Sequence, residues 1–195
     1  MQDPHYSYTS VLIILVCLVF DHRSGFHQNA EINCLTSNHE ITQDDSLLVP
    51  GAVPKLVSNQ FSFTEGPAVD KKGNIFFTDQ PNDKIWKYGT DGKLSVFMEN
   101  SGRSNGLYFD RRGNLLACAD EKNELWSISP NKKITVLIKD RSGKKLNGPN
   151  DLWVHPGGTI YFTDPYYQRP WWTRKMPDIE GEKVYLFRTK DTEPV

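Results

Sequence analysis

Glu65–Phe77 reads EGPAVDKKGNIFF, and forty residues on, Asn105–Ala117 reads NGLYFDRRGNLLA. The two stretches align without a gap. Gly66 meets Gly106, Asp70 meets Asp110, and Gly73-Asn74 meets Gly113-Asn114. Further along, Trp86 meets Trp126, Lys93 meets Lys133 and Val96 meets Val136. A third copy opens at Asn150 as NDLWVHPGGTIYFTD. In it Gly158 follows Gly73 by 85 residues, and Phe162-Thr163-Asp164 follows Phe77-Thr78-Asp79 by the same interval. A fixed period of this length decides the architecture before any single residue does.

Each copy resolves into short runs, in the first near 66–70, 74–79, 84–88 and 93–98. Apolar and polar residues alternate in Lys84–Tyr88 and Lys93–Phe97, and the turns between runs are charged or contain glycine. Runs of this length bounded by such turns are strands. Four strands in a unit of 40 to 45 residues predict a β-propeller blade, and hence an all-β chain. Leucine-rich patterning and helical periodicity are both missing. A propeller closes a ring of roughly four to eight blades. Only about three are present here, so the expectation is the N-terminal half of a longer protein or a truncated product.

The 195 residues suit one domain, predicted over 49–195 and preceded by an apolar segment and a flexible linker over 1–48. Formal net charge is −1, which removes the basic excess that nucleic-acid binding requires. Val11–Phe20 (VLIILVCLVF) is half the length of a bilayer span, so no membrane span is expected. It matches the hydrophobic region of a signal peptide, although no Lys or Arg precedes it and no A-x-A site follows. The expectation is a secreted or periplasmic protein, with a cytoplasmic one as the alternative. Of three cysteines, Cys17, Cys34 and Cys118, none forms a C-x-x-C, and Cys118 is expected as a small buried residue.

The repeat places Glu65, Asn105 and Asn150 at equivalent positions, each opening the innermost strand of its blade. Innermost strands line one central channel, so one carboxylate and two amides point at a shared space. Such oxygens suit a hard cation such as Ca²⁺. The set holds no Cys or His, which argues against zinc or copper. Two readings stand for Glu65, a turn acceptor before Gly-Pro and a metal ligand.

The stretches FTEGPAV, SNGLYFD, LACADEKNELWSI and LNGPNDLWVHPGGTIYFTDPYY, in this order and spacing, resemble the SMP-30/gluconolactonase (regucalcin-like) family from about Leu56 to Val195. The resemblance implies a six-bladed propeller with one divalent metal, usually calcium, in its channel. It implies hydrolysis of sugar lactones or related esters, with a small-molecule substrate. Glu65 matches the family's metal-binding glutamate, and Asn150 an asparagine that faces metal and substrate. A later asparagine, and a later aspartate that is both ligand and base, would lie beyond Val195. Asn105 occupies the second blade's equivalent slot as a pocket-lining, substrate-binding candidate. The alternatives are a propeller that binds without catalysis and an inactive truncated product.

One insertion stands out. Between Asp164 and the strand at Val184 run PYYQRPWWTRKMPDIEGEK, against about five residues in the first copy. A long loop inside a compact domain is often functional. This one is expected to emerge on the face where Asn150 starts. Its aromatics, Tyr166 and Trp171 foremost, are substrate-binding candidates, with cover for the propeller rim as the other reading. His155 is expected in a turn, and Asp79 and Asp164 are expected to brace loops by hydrogen bonds.

Overall fold

Asp70 and Asp110 fold the repeat. The Asp70 carboxylate accepts the backbone N–H groups of Lys72 and Asn74 at 2.8 and 2.9 Å, and the Asn74 amide at 2.7 Å. Asp110 accepts the N–H and amide of Asn114 at 2.8 and 2.9 Å. Gly73 and Gly113 both turn the chain at φ +84°, where a side chain would be strained. The third copy keeps the geometry with different chemistry: His155 Nδ1 accepts the Gly157 N–H at 2.9 Å. His155 is thus the turn residue its position suggests.

The computed structural model describes residues 52–188, 190–191 and 193–195. The apolar segment Val11–Phe20, the linker and its cysteines lie outside the described residues. Nearly all described residues belong to one unit, 58–195. In it β1 (Thr64–Val69), β2 (Ile75–Asp79), β3 (Lys84–Tyr88) and β4 (Leu94–Glu99) form an antiparallel sheet in sequence order. The second sheet repeats this with β5 (Ser104–Phe109), β6 (Leu115–Ala119), β7 (Glu124–Ile128) and β8 (Ile134–Ile138). A two-residue hairpin follows, β9 (Asp140–Arg141) and β10 (Lys144–Lys145). The third sheet holds β11 (Leu152–Val154), β12 (Ile160–Asp164) and β13 (Lys183–Phe187). Val195 exchanges two backbone hydrogen bonds with Leu186, at 2.9 and 2.8 Å, beside β13. These are the blades that the period predicts.

The repeat extends to its irregularities. β1 carries one extra residue against β2 between Glu65 and Ala68, and β5 carries one against β6 between Ser104 and Leu107. A bulge of this kind re-aims the side chains beside it. The first strand begins earlier than the sequence pattern suggests, because Thr64 pairs with Asp79. Glu65 therefore lies inside the strand.

Two apolar seams hold the blades together. Between the first and second sheets pack Ala68, Phe76, Ile85, Leu107, Leu115, Trp126 and Ile128, with Phe97 and Phe109 edge-on to Phe76. Between the second and third pack Leu116, Cys118, Leu125, Ile138, Leu152, Phe162 and Tyr185. Strand β6, LLACA, is buried at all five positions because it faces both seams, and its Cys118 is a buried thiol. Each fully buried Phe or Leu contributes about 2 kcal/mol.

Candidate functional site

The inner strands meet where each copy of the repeat begins. Gly66 sits at φ +60°, and a Cβ there would collide with the Asn105 carbonyl oxygen. Gly106 donates its N–H to the Asn150 carbonyl at 2.7 Å, and a Cβ on it would strike Asp151. Two glycines thus let three inner strands converge, and this carries Glu65, Asn105 and Asn150 to one rim. Thr78 Oγ1 donates to the Glu65 carbonyl at 3.0 Å, and the Asp151 N–H donates to Thr163 Oγ1 at 3.0 Å. The threonines of the two F-T-D stretches so fix the strand starts from behind. The aspartates that follow them brace the chain leading in. Asp79 accepts the N–H groups of Ser62 and Phe63 at 3.1 and 3.2 Å. Asp164, 85 residues later, accepts those of Asn147 and Gly148 at 2.9 and 2.8 Å.

Glu65 is half-buried, and among the described residues its carboxylate accepts no hydrogen bond. Burial pushes its pKa from 4.5 up to about 7; Arg169 opposes the shift, and Asp151 and Asp120 add to it. Asp120 follows β6 directly, at the head of a single 3₁₀ turn, Asp120–Lys122. It is fully buried, and burial raises it to about 6 against the pull of Arg169. Arg169 Nε donates to Asp120 Oδ2 at 3.0 Å, and Gln80 Nε2 donates to the same oxygen at 3.2 Å. Gln80 Nε2 also donates to Asn105 Oδ1, while Asn105 Nδ2 donates to the Pro149 carbonyl at 3.3 Å. The rim is therefore one polar chain through three blades, Asn105–Gln80–Asp120–Arg169.

Arg169 comes from the long insertion, which crosses from the third blade to the second. Arg103 lies over the Trp171 ring at 4.6 Å, and Arg174 over the Trp172 ring at 4.4 Å. Arg174 Nη1 donates to the Leu146 carbonyl at 3.2 Å, and its Nη2 donates to the Asn147 carbonyl. The side chain of Trp172 and that of Asp120 both press on Gly148, where a Cβ would collide with each. Tyr166 stacks beside Trp172 at 5.8 Å and donates its hydroxyl to Gln168 at 2.7 Å. Tyr167 is 66% exposed.

Of the residues named from the sequence, Glu65 and Asn150 share the rim, with the Asn150 backbone tied to Gly106 and Thr163. Asn105 is fully buried, its amide engaged at both ends. Trp171 is half-buried beneath Arg103, and Tyr166 lies beside Arg174 at 5.3 Å. Sequence reasoning passed over Gln80 and Asp120, and it noted Arg169 in the insertion without giving it a role. The repeat itself held a signal for Asp120, which falls on Gln80 at the 40-residue offset as the one acid directly after a second strand. No group of three His, Cys, Asp or Glu side chains with metal-binding geometry occurs among the described residues.

An all-β chain of repeated antiparallel sheets, two of four strands and one of three, with unlike polar groups gathered where the inner strands start, is part of a β-propeller. Residues 63–192 match the family model of the SMP-30/Gluconolactonase/LRE-like region, and the chain belongs to that family. A gluconolactonase of Zymomonas mobilis is 27% identical over 63% of this chain and 39% of its own length. A solved candidate gluconolactonase is 29% identical, with a TM-score of 0.64 over 69% of this chain and 48% of that one. A gluconolactonase of Xanthomonas campestris shares the fold at 24% identity and a TM-score of 0.67, over 71% and 48%. The chain thus spans about two-fifths to one half of the length of these relatives.

Proposed function

We propose that this chain forms the Glu65-bearing part of a metal-dependent hydrolase of sugar lactones or related esters, with gluconolactone as the natural test substrate. Family membership and the gluconolactonase relatives support the substrate class. The observation that carries the proposal is Glu65. Its carboxylate is half-buried, accepts no hydrogen bond among the described residues, and feels the charges of two further carboxylates, Asp151 and Asp120, besides Arg169. A carboxylate so placed is stabilised by a cation, and Glu65 with the Asn150 amide oxygen would supply hard oxygen ligands suited to calcium. When bound, the metal would supply Lewis-acid polarisation of the ester carbonyl. The chain's own contribution is positional. Gly66 and the bulge aim Glu65, Thr78 fixes its backbone, and the aromatic insertion carries Arg169 to Asp120 at the rim.

The test is Glu65→Gln in the intact protein, measured for bound calcium and for glucono-lactone hydrolysis. The expected result is loss of the metal and a fall in kcat/KM of about a thousandfold, the scale of losing an electrostatic stabiliser. Unchanged metal content and unchanged turnover would remove Glu65 from the site; a wild-type protein that binds calcium but hydrolyses no lactone would remove the hydrolase reading and leave a propeller that binds without catalysis. No helix among the described residues is long and apolar enough to cross a membrane. We further propose export on the strength of the apolar run alone; detection of the protein only in the cytoplasm would overturn it.

A further inference from the structure

The insertion brings an arginine to the rim with part of its donor set uncommitted. Arg169 Nε is bound to Asp120, but among the described residues its two terminal Nη groups make no hydrogen bond. The side chain is 19% exposed, and its partner carboxylate is 1% exposed. Asp120 is itself held by Gln80, and Gln80 by Asn105. The guanidinium plane is thereby fixed from its Nε edge, with Tyr167 across its face at 5.4 Å. An ordinary ion pair on this loop would use the guanidinium's fork against the carboxylate. Here a single donor is spent on Asp120, and the fork is left over, its charge still felt by Glu65.

Resting on the lactonase reading, we propose that Arg169 is a substrate-binding residue, with its Nη groups donating to the carbonyl oxygen of the lactone and to the carboxylate of the hydroxy acid it becomes. Asp120 is its positioning residue. The fork suits a planar oxygen pair, and it would bind more tightly as negative charge develops on the carbonyl oxygen. A neutral lactone and an anionic product would then be held by the same two donors. The aromatic insertion delivers this group, and Arg103 on Trp171 and Arg174 on Trp172 pin the loop on either side.

The experiment uses the intact protein and four variants: Arg169→Gln, Arg169→Lys, Asp120→Asn, and the double variant Arg169→Gln/Asp120→Asn. The double variant removes both charges, so no unpaired charge is buried if Arg169→Gln alone fails to fold. Glucono-lactone hydrolysis, gluconate binding by calorimetry and the melting temperature are all measured. Arg169→Gln and the double variant should lose about a hundredfold in kcat/KM and at least tenfold in gluconate affinity. Arg169→Lys should keep the melting temperature but not the activity, because an ammonium cannot pair with Asp120 and present a fork together. Asp120→Asn should raise KM more than it lowers kcat. Full rescue by lysine, or a double variant with wild-type turnover and wild-type gluconate affinity, would overturn the proposal. Wild-type protein that binds gluconate without hydrolysing the lactone would remove the hydrolase reading, and the binding arm would still decide Arg169. Wild-type protein that does neither overturns both.

Discussion

The two ends of the inner strands differ in kind. At the turn end, Asp70 and Asp110 each accept the backbone N–H and the side-chain amide of the asparagine four residues on. Asp70 is held below its ordinary pKa: burial works against this, and the Asn74 and Lys72 hydrogen bonds prevail. At the rim end, the equivalent residues are Glu65, Asn105 and Asn150, and no two have the same surroundings. Acids there are pushed up, Glu65 to about 7 and Asp120 to about 6, chiefly by burial. Sameness across copies marks the part that folds the blade. Difference marks the part that the blade's own folding leaves free, and it is there that the proposed chemistry would sit.

Breaking the comparison at its scaffold should have the largest effect. Gly66→Ala puts a methyl against the Asn105 carbonyl in a backbone region that side chains avoid. It should destabilise by about 3 kcal/mol or more, read by denaturant unfolding. The mirror change at the turn, Gly113→Ala, meets open space and should cost only about 1 kcal/mol for its φ of +84°. Equal losses would contradict the close approach of the strands. Asp79→Ala and Asp164→Ala should behave alike, each losing about 3 kcal/mol, since each leaves two backbone N–H groups without an acceptor. A large loss of one and none of the other would separate the first blade from the third.

Next in size is a pH effect at the rim. Glu65 has a folded pKa of about 7 against an ordinary 4.5. The stability that this group contributes is therefore complete below about pH 4.5 and is lost as pH rises through 7. In the presence of chelator, wild-type protein should melt at lower temperature at pH 8 than at pH 4.5. Glu65→Gln should remove part of that fall, by about 3 °C, and match the wild type at the acid end. A variant less stable than wild type at pH 8 under chelation would contradict the burial of this charge. The smallest effect is expected at the third turn. His155→Ala removes one exposed hydrogen bond and should cost under about 0.5 kcal/mol, against about 2 kcal/mol for Asp110→Ala, where a charged acceptor is lost.

Much of the fold was legible because a repeat writes its evidence more than once. Gly73, Gly113 and Gly158 fixed the turns, and the alternation in Lys84–Tyr88 fixed a strand that the structure places on the same residues. Glu65 stood out by breaking the pattern. Asn105 read as its counterpart, yet its side chain lies wholly inside, because Gln80 from the neighbouring blade reaches across to it. That contact joins residues 25 positions apart, and nothing local announces it. Asp120 and Arg169 are 49 positions apart and meet only because the insertion crosses one blade to reach another.

The sequence by itself determined the blades, their turns and the rim position of Glu65. Periodicity and turn chemistry are local, and they recur at each copy. Only the tertiary structure decided which groups share the rim, which of them are withdrawn from water and which donors remain unspent. Those depend on how closely inner strands approach at Gly66 and Gly106, and on where a long loop comes to rest. Both are outcomes of packing between segments far apart in the chain.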